Sequence, residues 1–82
     1  MENKTELTFE FAGEEYTPKS YAEMLITTAQ KAIKNGHYSK NTSPKVIATH
    51  EAIQLHNWLA DNMPPAQRFA IEVIKEITLY TF

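Results

Sequence analysis

Polar and apolar residues alternate near the start of the chain, where residues 5–11 are TELTFEF. In an extended chain, Leu7, Phe9 and Phe11 lie on one side and the polar residues between them lie on the other. The glycine-containing segment AGEE then suits a turn, and EEYTP can return as a second strand that ends before the next proline. This pattern predicts a β-hairpin over residues 5–17.

Three later segments change to the spacing of an amphipathic helix, in which apolar residues recur three and four positions apart. The predicted helices cover residues 18–35, 44–62 and 64–77, and each begins at a proline, which is favoured in the first helical turn. Ser20 and Glu23 have the spacing of a capping box at the start of the first helix. A serine before the second helix is a suitable N-cap.

The second predicted helix has a wide apolar face, and the third has a narrower one. The second face contains Ile47, Ala48, Ala52, Leu55, Trp58 and Leu59, and the third contains Phe69, Ala70, Val73, Ile74 and Ile77. This placement puts Trp58 with the residues that we expect to form the core.

The end of the chain, EITLYTF at residues 76–82, fits two conformations. Its alternation of β-branched and aromatic residues favours an extended end, which could join the hairpin as a third strand. In the alternative, the third helix continues into this segment. The sequence as a whole predicts a single α+β domain over residues 1–82, with an N-terminal β-hairpin packed on three helices.

The composition is that of a globular protein, with 43% hydrophobic and 22% charged residues and no cysteine. The absence of cysteine excludes disulfides and thiolate zinc sites within the chain. No apolar segment has the length of a membrane span, and the first residues do not resemble a signal peptide. We therefore expect a soluble, cytoplasmic protein with no membrane partner.

The two histidines of THEAIQLHNW raise the question of a metal site. A zinc-hydrolase helix needs histidines four positions apart, whereas His50 and His56 are six apart and point about 120° away from each other. We interpret His50 as solvated and His56 as a boundary residue with one hydrogen bond. A site built from loop residue His37, one helical histidine and an acid is the weaker alternative, so we expect no metal and no cofactor.

Other catalytic patterns are also missing from the sequence. The serines Ser20, Ser39 and Ser43 occupy predicted cap or loop positions, and two glycines are too few for a glycine-rich phosphate loop. The acidic residues fall on predicted solvated faces, which accounts for them without chemistry. We therefore expect a protein that is not an enzyme.

The net charge of −2 hides an uneven distribution along the chain. Residues 1–23 carry −4, residues 24–50 contain four lysines and no acid, and residues 51–82 carry −2. The first block includes the hairpin acids Glu2, Glu6, Glu10, Glu14 and Glu15.

These acids could face the basic surface of a larger protein, such as the nucleic-acid groove of an enzyme. Tyr38, in the loop 37–45, offers a second contact for a partner. The strand edges could also pair with another chain, including a second copy of this one. In the simpler interpretation, the acids only keep an edge strand soluble and unpaired.

No family signature is present in the sequence. In size and plain composition the chain resembles small viral accessory proteins of phages, or those of plasmids, such as inhibitors, immunity proteins and antitoxins. This resemblance and the acidic hairpin favour a non-catalytic, protein-binding inhibitor or regulator, for example of a nucleic-acid-processing enzyme.

The alternative function is a nucleic-acid-binding regulator that uses the basic segment 31–50. Its candidate contacts to phosphate are Lys31, Lys34, Lys40 and Lys45. Tyr38 could stack on a base. The net acidic charge of the chain and its single arginine, Arg68, outside this segment argue against this function.

Overall fold

The computed structural model describes residues 7–81, which form an N-terminal hairpin followed by three helices. The elements are β1 (Phe9–Phe11), β2 (Glu14–Tyr16), α1 (Pro18–Lys34), α2 (Pro44–Asn62), a 3-10 turn (Pro64–Ala66) and α3 (Gln67–Leu79). The structure therefore confirms the α+β class, the hairpin and the three helices. Each strand of the hairpin has three residues.

The hairpin is closed by the two-residue turn Ala12–Gly13, whose φ angles are 54° and 82°. Positive φ at both turn residues is the requirement of a type I′ turn, whose twist matches that of the strands. The register pairs Phe9 with Tyr16 and Phe11 with Glu14. The hairpin thus places its aromatic residues on the face that turns toward the helices.

Aromatic rings join the hairpin to the helices. The Phe69 ring centroid lies 5.2 Å from that of Phe9 and 5.5 Å from that of Tyr21. Tyr16 packs edge-on against Tyr21, with 5.1 Å between the centroids. Around these rings, the fully buried large side chains are Phe69, Ile26, Leu59, Ile77 and Val73. The apolar face predicted for α3 is part of this core, together with Ile26 of α1 and Leu59 of α2.

The capping box of α1 lies one turn earlier than predicted. Thr17 is the N-cap: its Oγ1 accepts a hydrogen bond from the Ser20 amide at 3.1 Å, and its own amide donates to Ser20 Oγ at 2.9 Å. Because Pro18 already occupies the first helical position, Ser20 belongs inside the first turn. The predicted pairing of Ser20 with Glu23 is therefore wrong.

The core placement of Trp58 is also wrong, because 52% of this side chain is exposed. α2 turns Ala48, Ala52 and Leu59 fully inward. Trp58 is one position before Leu59 and therefore lies about 100° away around the helix. The apolar face of α2 is wider than the surface that α1 and α3 cover.

Of the two conformations that fit residues 76–82, the structure shows the alternative in which the helix continues, and not the favoured extended end. The helix continues to Leu79, and Tyr80 is the first extended residue after it. Within residues 7–81 the sheet has only the two hairpin strands. Ile77 completes the buried stripe of α3 and is 1% exposed, whereas Leu79 is 74% exposed. Ile77 therefore belongs to the buried stripe of a helix, although it also fitted the alternation of a strand.

Candidate functional site

An apolar groove of about 520 Å³ separates β1 from α2. Its apolar walls are Phe9, Phe11, Tyr21, Leu55, Trp58 and Met63. Three of these side chains are large and open to solvent: Phe11 is 49% exposed, Trp58 52% and Met63 44%. The structure therefore gathers exposed apolar residues from the hairpin, from α2 and from the residue that follows α2.

The charged residues in the walls of this groove are both acidic. Glu10 comes from β1 and Glu51 from α2, and no lysine or arginine contributes to the groove within the described residues. Burial raises the pKa of the Tyr21 phenol above its ordinary value of 10.0, and the charges of Tyr16 and Glu51 raise it further. The groove thus combines an apolar floor with negative charge at two points.

A smaller cavity of about 210 Å³ adjoins the groove, and Glu51 lines both of them. Its other walls are Leu25, Thr28, Ala29 and Ala32 of α1, the loop residue Tyr38, and Ile47 of α2. Tyr38 therefore lines this smaller cavity, whereas the hairpin lines the groove.

The outer face of the hairpin carries the other predicted acids. Glu10 is directly opposite Glu15 in the register, and both are exposed. Like charges in this position repel each other, so this pair lowers the stability of the isolated hairpin. Glu14 is exposed at the end of β2, and Glu6 is outside the described residues. None of the described hairpin acids forms an ion pair with a residue in the range 7–81.

The predicted basic residues are spread over several structural roles. Lys45 is half-buried, and its Nζ donates a 3.1 Å hydrogen bond to the carbonyl oxygen of Thr78, in the last turn of α3. Lys31 and Lys34 occupy the last turn of α1, where positive charge favours the helix dipole. Lys40 is exposed in the loop. Lys31, Lys34 and Lys45 therefore each lie at, or donate to, the C-terminal end of a helix.

The histidines are separated as their spacing indicated. His50 is exposed, whereas His56 is half-buried with its Nε2 3.4 Å from the side-chain nitrogen of Gln67. This contact confirms the prediction of a boundary histidine. Across residues 7–81, no three histidine or acidic side chains are close enough together to hold a metal ion.

Sequence reasoning missed the groove itself. It named Glu10 but placed Trp58 in the core, and it gave no role to Phe11 beyond the strand or to Met63. A signal was present in α2, where Leu55, Trp58 and Leu59 make the apolar face wider than one core contact needs. When the apolar face of a helix is wider than the core can cover, the uncovered part indicates a second apolar contact.

Comparison with known proteins finds no matching family model, no similar curated protein and no similar solved structure. No helix within residues 7–81 has both the length and the apolar character needed to span a membrane. The groove and the charges around it are therefore the features of this chain that bear on its function.

Proposed function

We propose that the chain is a small non-catalytic protein-binding module that inhibits or regulates a larger protein. The observation that carries this proposal is the exposure of Phe11, Trp58 and Met63 around a single groove. Isolated apolar residues on a surface are ordinary, but apolar residues gathered around a groove with a charged rim are typical of interaction sites. Tryptophan is also enriched among the residues that contribute most to binding energy.

The hairpin charge supports a partner with a basic surface. Glu10, Glu14 and Glu15 are exposed next to the groove and add long-range attraction to its short-range apolar contacts. A nucleic-acid-processing enzyme has such a surface where it holds phosphates, and an acidic protein bound there would compete with its substrate. The small size and plain composition of the chain support a cytoplasmic accessory role of the phage or plasmid type.

Site-specific photo-crosslinking in the source cells tests this function. A photoreactive amino acid at position 63 or 11 reports on the groove, and one at position 46 or 71 reports on exposed apolar sites outside it. We expect the same crosslinked protein from both groove positions and none from the control positions. A partner captured only at positions 46 and 71 would contradict the groove, and no crosslinked protein at any position would contradict the function.

Charge reversal tests the contribution of the hairpin. Glu14→Lys with Glu15→Lys should slow association with the crosslinked partner and reduce its dependence on salt, because rim charges act mainly on the association rate. Glu72→Lys is not a suitable control because Glu72 forms an ion pair with Lys75 at 3.3 Å. Asp61→Lys, at an exposed position of α2 outside the groove, is the matched control. Equal effects of the two changes would reject a specific role for the hairpin.

Nucleic-acid binding is the second candidate function. It is favoured by the exposure of Lys31, Lys34 and Lys40 in a stretch without acids, and by the partly exposed ring of Tyr38. Lys45 gives less support to nucleic-acid binding, because its ammonium group already donates a hydrogen bond to the carbonyl oxygen of Thr78.

Titration of labelled DNA and RNA at low and at physiological salt tests this candidate. If it is correct, binding weakens steeply with salt and is lost in Lys31→Gln with Lys40→Gln. Arg68→Gln, which removes an exposed cation from α3 outside the basic segment, should leave binding intact. Absence of binding at low salt would reject the candidate.

A further inference from the structure

One edge of β1 is available for pairing. β1 pairs with β2 along its other edge, and no further strand lies beside it within residues 7–81. In a hairpin closed by a two-residue turn, the residues that flank the turn exchange both of their hydrogen bonds. Phe11 and Glu14 are those residues, so Glu10 and Glu15 form the next pair, which is not hydrogen-bonded. The backbone N–H and C=O of Glu10 therefore point to the available edge.

This edge opens into the groove. The consecutive residues Phe9, Glu10, Phe11 and Ala12 all line the groove, whereas none of the β2 residues does. Successive side chains of a strand point to opposite faces. The cavity contacts residues whose side chains lie on both faces of β1, which favours a position that reaches the edge of the strand.

The opposite wall has a length that suits an added strand. On α2 it extends from Glu51 to Trp58, which is about 10 Å at the rise of an α-helix. Three residues of an extended chain also cover about 10 Å, and β1 itself has three residues. A segment of this length beside β1 would place alternate side chains against Leu55, Trp58 and Met63.

The charge of the walls determines which segment fits. Glu10 and Glu51 attract a lysine or arginine, and the exposed face of Trp58 can contact such a cation favourably. A second copy of this chain adding β1 to β1 would bring two Glu10 side chains together and would be repelled. The charges therefore favour a segment of a different protein over a symmetric dimer.

We infer that the groove accepts an extended, basic segment of the partner, which pairs with the backbone of Glu10 and contacts Glu10 and Glu51 through lysine or arginine side chains. Apolar residues that alternate with these cations occupy the space between Phe11 and Trp58. This inference rests on the proposed function and specifies how the partner is recognised. Strand addition of this kind derives affinity from main-chain hydrogen bonds and specificity from alternate side chains.

Synthetic peptides test the inference on the full chain. The probe alternates lysine and valine, one control replaces lysine by glutamate, and a second control rearranges the probe so that valines recur at helical spacing. Trp58 is the single tryptophan, so its fluorescence reports directly on the groove. We expect the probe to bind about tenfold or more tightly than either control, because like charges and lost strand pairing both disfavour the controls.

Two measurements separate strand addition from simple charge attraction. Hydrogen exchange of the Glu10 amide should slow when the probe binds, whereas the Phe11 amide, already bonded within the hairpin, should change little. N-methylation of alternate residues of the probe removes donors from one edge at a time. One methylated set should weaken binding about tenfold, and the other should be tolerated.

Protein variants provide the matched comparison. Glu51→Gln should weaken binding of the lysine peptide, whereas Asp61→Asn on the exposed side of α2 should not. The inference is overturned if the probe does not bind, if the glutamate or helical control binds equally well, or if the Glu10 amide is not protected. If position 63 still crosslinks to a cellular partner in any of these cases, the protein-binding function stands and only the binding mode is rejected.

Discussion

α2 and α3 are both apolar helices, but they use their apolar residues differently. α3 buries Phe69, Val73 and Ile77, which are at most 1% exposed, and it exposes Ile71 and Leu79 outside the groove. α2 buries Ala48, Ala52 and Leu59 and exposes Val46, Ile53 and Trp58, of which Trp58 lines the groove. The two helices therefore differ at the groove, because α2 contributes the exposed Trp58 to its wall whereas no residue of α3 lines it.

Replacement of one large side chain in each helix should give the largest difference. Phe69→Ala removes a fully buried ring that contacts Phe9 and Tyr21, so we expect a loss of about 3–5 kcal/mol in the free energy of unfolding. Trp58→Ala, at a half-exposed site, should cost less than about 1 kcal/mol. Urea denaturation of both variants measures the difference, and equal losses would remove the contrast between the helices.

Enlargement of a buried alanine tests how closely α2 packs. Ala52 is fully buried, so Ala52→Leu should destabilise the fold by about 1–3 kcal/mol through overpacking. Ala60→Leu makes the same change at an exposed position of the same helix and should stay within about 0.5 kcal/mol of the parent. The same denaturation experiment applies, and a neutral Ala52→Leu would show that the inner face of α2 is loosely packed.

The contact between the start of α2 and the end of α3 should have a smaller effect. Lys45→Met retains most of the aliphatic chain but removes the ammonium group that donates to the Thr78 carbonyl, so we expect a loss of about 0.5–1 kcal/mol. Lys31→Met removes an exposed lysine in the last turn of α1 and should cost less. If the two variants have equal thermal stability, the Lys45 contact does not stabilise α3.

The stability that Tyr21 gains from its raised pKa should be complete at neutral pH and be lost only in alkali. Burial raises its pKa in the folded state, so the folded protein retains this proton more strongly than the unfolded chain does. The stability that this difference provides is complete below the unfolded pKa near 10.0 and is lost as pH rises through the folded pKa. Tyr21→Phe should flatten the fall in stability above that pH. An unchanged alkaline profile would assign the fall to other groups.

The sequence predicted the features that depend on one regular period. The stripe at Phe69, Ala70, Val73 and Ile77 defines α3, and the alternation around Phe9 together with Gly13 defines the hairpin. In both cases the hydrophobic period matches the local geometry, so no tertiary information was needed.

The wrong predictions concern residues whose conformation or burial depends on the neighbouring secondary-structure elements. A helical stripe and a strand alternation share Ile77, and only packing against the other helices distinguishes them. Trp58 lies on an apolar face of α2, but whether that face is covered depends on the position of α1, α3 and the hairpin. The groove could not be predicted for the same reason, because its walls come from β1, α1 and α2.

The most direct test measures folding and binding on the same variant, Phe11→Ala with Trp58→Ala. We expect this protein to unfold cooperatively with a stability close to that of the parent, and to lose the crosslink from position 63. The control, Val46→Ala with Ile71→Ala, removes two other exposed apolar side chains and should keep the crosslink. A groove variant that folds and still binds its partner, or one that fails to fold, would contradict the claim that these side chains serve binding and not folding.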